Sequence, residues 1–168
     1  MSSRLLEGQE LDEAREAISN LIYIAQLSGC TRSKRASIII KDGRVIGSGT
    51  NGPHKGFESY CSPCLRTELN VPSKTRYELC AGEHAERDAI DSCSEDMKGA
   101  RMYHLALDKK GHPTPADDPH CTLCSGAILK AGLADIVLWH GENNFKAYLP
   151  DYFHELSIKN AIALSGLR

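Results

Sequence analysis

Apolar residues recur at one-turn spacing through residues 11–27, at Leu11, Ala14, Ile18, Leu21, Ile22 and Ala25. That spacing predicts an amphipathic helix with one buried stripe, and Ser28-Gly29 ends it. Two β-branched runs follow, at 36–40 and 44–47, with Asp42-Gly43 between them. An Asp-Gly joint between such runs predicts a hairpin, because both turn positions must accept positive φ. From 50 to about 79 the periodicity gives way to Gly, Pro and Ser. A loop of that length is expected to be functional or stapled, and Cys61, Cys64 and Cys80 favour stapling. Order resumes with a helix at 83–92 carrying Ala85, Ala89 and Ile90 on one face. An alternating strand at 101–107, a Pro- and Asp-rich loop at 108–119 and a helix at 121–131 closed by Gly132 come next. A short apolar strand at 136–139 and a helical tail at 148–167 complete the pattern. Strands interleaved with helices in this order predict a central sheet covered on both faces.

Composition narrows the class. The chain has 168 residues, enough for one domain spanning 1–168 with a real core. Its 41% apolar and 25% charged residues are ordinary for a globular protein. A net charge of -2 gives no global attraction to nucleic acid or anionic membrane, which argues against a nucleic-acid partner. No apolar run approaches the roughly 20 residues that span a bilayer. The first twelve residues lack the apolar centre of a signal peptide, so the expected location is cytoplasmic. Seven cysteines in that compartment point to metal before disulfides.

The candidate chemistry lies in His84-Ala85-Glu86 and, after a strand and a loop, Cys121-Thr122-Leu123-Cys124. One imidazole and two thiolates leave the fourth tetrahedral position of a zinc ion open to water. Cys121 and Cys124 are one helical turn apart, and both ligand segments begin helices, whose N-termini favour thiolate and hydroxide. Two thiolates neutralise the ion, so its water needs a nearby base. Glu86 is placed to take that proton, let zinc-bound hydroxide attack an amine-bearing ring carbon, and return the proton to the ring nitrogen and departing ammonia. The order H-x-E followed by C-x-x-C is the zinc deaminase signature. Here His120 separates Pro119 from Cys121, so the proline stands one residue early.

Other signals carry less. Residues 47–52 fit G-x-G-x-x-G, but Pro53, His54 and Lys55 follow where a dinucleotide fold opens a helix. Arg32, Lys34 and Arg35 are either phosphate ligands or solvated charges. Trp139 reads as core, His120 as site rim and Cys93 as packing. A non-catalytic module stapled by Cys61/Cys64 with Cys121/Cys124 is disfavoured, because the pairs lie much farther apart than the roughly 15–20 residues of a zinc ribbon.

The run CAGEHAERDAI at 80–90 resembles the active-site helix of deoxycytidylate (dCMP) deaminases in the cytidine deaminase-like superfamily. Residues 28–51, with an S-x-C-x-R turn and a closing G-x-N-G, resemble the same family. So do the cysteine-bearing segment 64–73 and residues 121–139. The resemblance implies a three-layer α/β/α fold with a central mixed sheet of about five strands. It implies hydrolytic conversion of dCMP to dUMP, with His84, Cys121 and Cys124 on a catalytic zinc, Glu86 as proton shuttle and Asn51 on the substrate. It further implies a structural zinc on Cys30 of the first helix-to-strand turn and on Cys61, Cys64 and Cys80 of a 51–80 insertion, and a homo-oligomer. Four thiolates in one loop-rich region can close a tetrahedral site and replace missing core. Arg32, Lys34, Arg35 and Arg66 stand beside them and can offset the charge. Thr50 and Asp88 depart from the family's Tyr and Asn, and Pro53 is displaced; these changes are expected on the substrate side. They keep open the same chemistry on cytidine, a modified cytosine nucleoside, a riboflavin-precursor pyrimidine, guanine or tRNA adenosine.

Overall fold

Asp42 and Gly43 both take positive φ, 50° and 72°, and turn the chain back on itself as the Asp-Gly pair predicts. The structure, a computed structural model, describes residues 3–166. In chain order its elements are β1 (Ser3–Leu5), α1 (Gly8–Gln26), β2 (Lys34–Lys41), β3 (Arg44–Thr50), β4 (Gly52–Pro53), α2 (Leu65–Glu68), β5 (Gly82–Glu83), α3 (Ala85–Asp91), β6 (Arg101–Leu107), β7 (Pro113–Thr114), α4 (Thr122–Ala131), β8 (Asp135–Trp139), β9 (Phe145–Tyr148) and α5 (Pro150–Ser165). The predicted tail reached Leu167, which lies outside the described residues.

The main sheet runs β1-β9-β8-β6-β2-β3, with β7 paired to β6. β6 and β8 are parallel, joined through α4, and the other pairings are antiparallel. It is the mixed sheet the resemblance implies, with seven strands rather than about five. The three strands of this sheet that the hydrophobic pattern does not predict, β1, β7 and β9, span two to four residues, too few to show a period of two.

Alternation along the strands divides the core into two layers. Ala36, Ile38, Tyr103, Leu105 and Val137 meet α1, which presents Ala14, Ala17, Leu21 and Ala25. Three alanines in that stripe let the helix lie close to the sheet. Its first turn begins at Gly8, three residues before the apolar pattern, because that turn carries no buried side chain. On the opposite face Ile39, Met102, Ile136 and Leu138 meet Ala89 of α3, Ile128 of α4 and Phe153 of α5. Helices therefore cover both faces, giving the three layers.

Gly47 and Gly49 explain the glycine-rich run at the end of β3. A Cβ on Gly49 would lie 2.2 Å from Ala89 N and 2.6 Å from Ala85 O; one on Gly47 would lie 2.6 Å from Ala89 O. The glycines let α3 rest directly on the strand, and no helix opens after them, so the dinucleotide pattern has a packing origin. The insertion holds two short 3-10 turns, Glu58–Tyr60 and Tyr77–Leu79, besides α2. No described helix is long and apolar enough to cross a membrane.

Candidate active site

The close seating of α3 fixes where His84 and Glu86 stand. His84 is the N-cap residue of α3, with extended backbone, and Glu86 lies in the first turn. Cys121 is the N-cap of α4, and its Sγ accepts from the Cys124 backbone N–H at 3.4 Å. Both helices pack on the same face of the sheet, so their N-termini converge. His84 Nδ1 lies 3.1 Å from Cys124 Sγ and 3.5 Å from Cys121 Sγ, and the sulfurs are 3.0 Å apart. Ligand atoms around a tetrahedral zinc are separated by about 3.5–3.8 Å at ordinary bond lengths. The trio is slightly tighter, and its one-nitrogen, two-sulfur chemistry fits a zinc ion. Among the described residues it is the group of three such side chains gathered within 4.8 Å.

The electrostatics agree with a metal corner. Cys121 falls to about 5, chiefly through its hydrogen-bonding contact with the Cys124 sulfur, and Cys124 rises through the same contact. Burial works against charge on His84, but the neighbouring Cys121 and Cys80 sulfurs lift it to about 10. Three groups that compete for protons at this spacing are ones whose protons a metal cation can displace. For Glu86, burial acts to raise the carboxyl, yet the His104 and His84 charges bring it below its ordinary value.

A cavity of about 330 Å³ opens beside the trio, within the size range of small-molecule sites. Glu86 and Asn51 line it, as do all four remaining candidate cysteines. Asn51 is 7% exposed and strongly tied down. Its Oδ1 accepts from Ser28 Oγ at 2.8 Å and from Arg35 N at 2.7 Å, and its Nδ2 donates to Ser33 O at 2.8 Å. It pins the α1–β2 turn at the cavity wall.

Cys30, Cys61, Cys64 and Cys80 come close enough to feel one another's charge. Burial raises the Cys61 thiol first, and Cys80, Cys30 and Cys64 raise it further. They do not close to within 4.8 Å as a group of three or more. Cys80 instead approaches His84, which lowers its thiol.

Asp88 and Thr50 occupy a different place from the one expected. Asp88 Oδ2 accepts the Thr50 backbone N–H at 2.8 Å, tying α3 to the end of β3, and neither residue lines the cavity. The Asp88 carboxylate therefore serves packing between α3 and β3. Trp139 packs against the α1-side core and donates from Nε1 to Glu142 O. Cys93 is half-buried, its Sγ 3.5 Å from Glu95 O.

Several residues at the site gave no sequence signal. Tyr77 stands edge-on to His84, with ring centres 4.9 Å apart, and its hydroxyl meets His120 Nε2 at 2.5 Å. Burial pushes that hydroxyl up to about 12. His104, inside β6, lies 3.9 Å from Glu86 Oε2 and 2.8 Å from Ser37 Oγ. A histidine in an alternating strand reads as core until the third dimension brings Glu86 over it. Helix α5 braces the cysteine pair from behind: His154 Nδ1 meets Ser125 Oγ at 2.8 Å, and Asn160 Nδ2 donates to Pro119 O at 2.7 Å.

No protein-family model matches the chain. It is 34% identical over 119 residues to a deoxycytidylate deaminase of Mycobacterium phage D29, covering 67% of this chain and 83% of that protein. The apo dCMP deaminase of the cyanophage S-TIM5 superposes with a TM-score of 0.53 at 23% identity, covering 74% of this chain and 80% of that one. A cytidine deaminase from Burkholderia pseudomallei gives a TM-score of 0.51 at 13% identity, over 88% and 96% of the two chains. The two superpositions share the fold, and the phage relative shares a third of its aligned residues across most of its length. On that relationship the chain belongs to the deoxycytidylate deaminase family.

Proposed function

We propose that the chain hydrolyses dCMP to dUMP and ammonia. The observation that carries this reading is the placement of Glu86 in the first turn of α3, on the cavity side of the His84/Cys121/Cys124 trio. The phage relative's dCMP activity supports the choice of substrate.

A zinc ion held by Nδ1 of His84 and the sulfurs of Cys121 and Cys124 would supply Lewis acidity that makes water a competent nucleophile near neutral pH. The chain's own residues do the rest. Glu86, kept anionic, accepts the proton from the attacking water and returns it to the pyrimidine ring nitrogen. A second transfer through the same carboxylate protonates the exocyclic amine, so that ammonia departs as the C–N bond breaks and the carbonyl forms. Asn51 holds the sugar or base edge with its remaining amide hydrogen. Tyr77 and His120 close one wall of the cavity and limit water at the reacting carbon.

Cys30, Cys61, Cys64 and Cys80 are proposed to hold a second, structural zinc, supported by their mutual influence at Cys61 and their common place along the cavity. The chain is further proposed to act as one domain, in the cytoplasm, as a homo-oligomer.

The test is turnover of dCMP, followed by absorbance and ammonia release in zinc-loaded protein. Glu86→Gln should abolish turnover while metal content stays at the wild-type level. A zinc-loaded wild-type chain that leaves dCMP unchanged, but turns over cytidine, guanine or a riboflavin-precursor pyrimidine, would move the substrate and keep the chemistry.

A further inference from the structure

A nucleotide monophosphate brings a dianion into the cavity, so the proposed reaction needs a cation facing that dianion. The structure separates the three basic residues that the sequence left equivalent. Lys34 Nζ donates to Gln26 O at the end of α1, at 2.9 Å, and Arg32 Nη2 turns toward Val71 O of the insertion, at 3.3 Å. Arg35 does neither. It is the one described arginine whose guanidinium has neither a hydrogen bond nor an ion pair. Arg4 pairs with Glu10, Arg15 with Asp12, Arg44 with Glu95, Arg76 with Glu78, Arg87 with Glu83 and Arg101 with Asp135. Arg66 donates to Thr75 O. Of the other cations lining the cavity, Arg32 and Arg66 each keep one buried nitrogen without a partner but are turned to backbone carbonyls, and Lys74 is held by Asp117 at 2.8 Å.

Placement argues further. Arg35 precedes Ser37 by two positions on β2, so alternation puts both on the sheet face that carries His104 and faces α3. Arg35 is half-buried and lines the cavity. Its charge is felt by Glu86, His104, Tyr77 and Asp117, groups distributed around that cavity. Its backbone is fixed, because Arg35 N donates to the buried Asn51 side chain. A guanidinium that faces the cavity without a protein partner keeps its donors available to an anionic ligand. A doubly charged phosphate matches its planar fork in charge and geometry.

We propose that Arg35 is the specificity-determining residue that pairs with the substrate's phosphate and separates nucleotide from nucleoside. The inference rests on the dCMP reading above. Its test compares dCMP with deoxycytidine in the zinc-loaded wild type and in Arg35→Gln and Arg35→Lys. Arg35→Gln should raise KM for dCMP roughly 10- to 100-fold, the scale of a lost hydrogen bond to a charged group. It should leave kcat/KM for deoxycytidine within about twofold, which also shows that the variant is folded. Arg35→Lys, with charge but no fork, should fall between the two. Inorganic phosphate should compete with dCMP in the wild type and lose that effect in Arg35→Gln.

Unchanged dCMP kinetics in Arg35→Gln would overturn the proposal. Equal losses on both substrates would also overturn it, because Arg35 would then be serving Glu86 or the fold. A wild type that turns over neither compound would remove the dCMP reading itself, a result distinguishable from failure of the variants.

Discussion

Ser37 Oγ and His104 Nδ1 lie 2.8 Å apart at directly paired positions of β2 and β6. Ser37 is fully buried and His104 is 9% exposed, and the flanking residues on these strands, Ala36, Ile38, Tyr103 and Leu105, are buried apolar groups. Two polar side chains in such a setting are tolerated because each satisfies the other. Burial holds the imidazole below its ordinary value, against the pull of Glu86. Glu86 Oε2 is 3.9 Å from the same nitrogen that Ser37 anchors. The pair forms a rigid polar wall that limits where Glu86 can point.

His104→Phe keeps the ring volume and removes that wall. It is expected to lower kcat on dCMP by between about 10- and 100-fold, the scale of a misplaced proton-transfer group. KM should move by less than about threefold, because His104 acts through Glu86 and not through bound substrate. Ser37→Ala should produce a smaller loss in the same direction and add little in the His104→Phe background. Metal analysis alongside the kinetics decides the case, since loss of zinc with activity would make the ring a support for the trio.

Metal stoichiometry tests the cysteines of the insertion. Cys64→Ser should reduce two zincs per chain to one and lower the melting temperature, because the insertion has little core of its own. Cys121→Ser should also leave one zinc, but abolish turnover with a smaller change in melting temperature. A wild-type value of one zinc per chain would remove the second site.

The parts of the site that lie on regular elements were readable, because the chemistry there depends on short spacing. His84 and Glu86 share one turn, Cys121 and Cys124 share another, and order along the chain suffices to pair them. The hairpin at Asp42-Gly43 and strand β6 were equally local. Contacts between distant segments were not readable: Tyr77 with His120, His104 with Glu86, and α5 with Ser125 each join residues whose adjacency is created by packing. Asp88 shows the same limit in reverse. Sequence placed it near substrate, and the fold turned its carboxylate to the Thr50 N–H.

Glycine substitutions test the packing that positions α3. Gly49→Ala drives a methyl to 2.2 Å from Ala89 N, a backbone atom that cannot swing aside. It should cost roughly 3 kcal/mol or more in chemical denaturation. Gly126→Ala, inside α4, meets His154 Cε1 at an ordinary 3.6 Å, and should stabilise by about 0.5–1 kcal/mol through helix propensity. Equal effects at the two positions would contradict the close seating of α3 on β3.

Glu10 sets an acid dependence whose sign follows from its partners. Both Arg4 nitrogens reach its carboxylate at 2.6 Å, and Arg101 Nη2 reaches it at 2.8 Å. The Arg4 contact is the main cause that holds Glu10 at about 2, below an ordinary value near 4.5. A carboxylate depressed in the folded state stabilises fully above its unfolded value, and loses that stabilisation as pH falls through the folded value. The side chain is 38% exposed, so solvent screening reduces the effect to about 1 kcal/mol. Denaturation of Glu10→Gln against wild type should therefore show a constant gap from pH 7 to about 4.5 that closes toward pH 2. A gap that persists at pH 2 would mean that Glu10 contributes by packing and not by its charge.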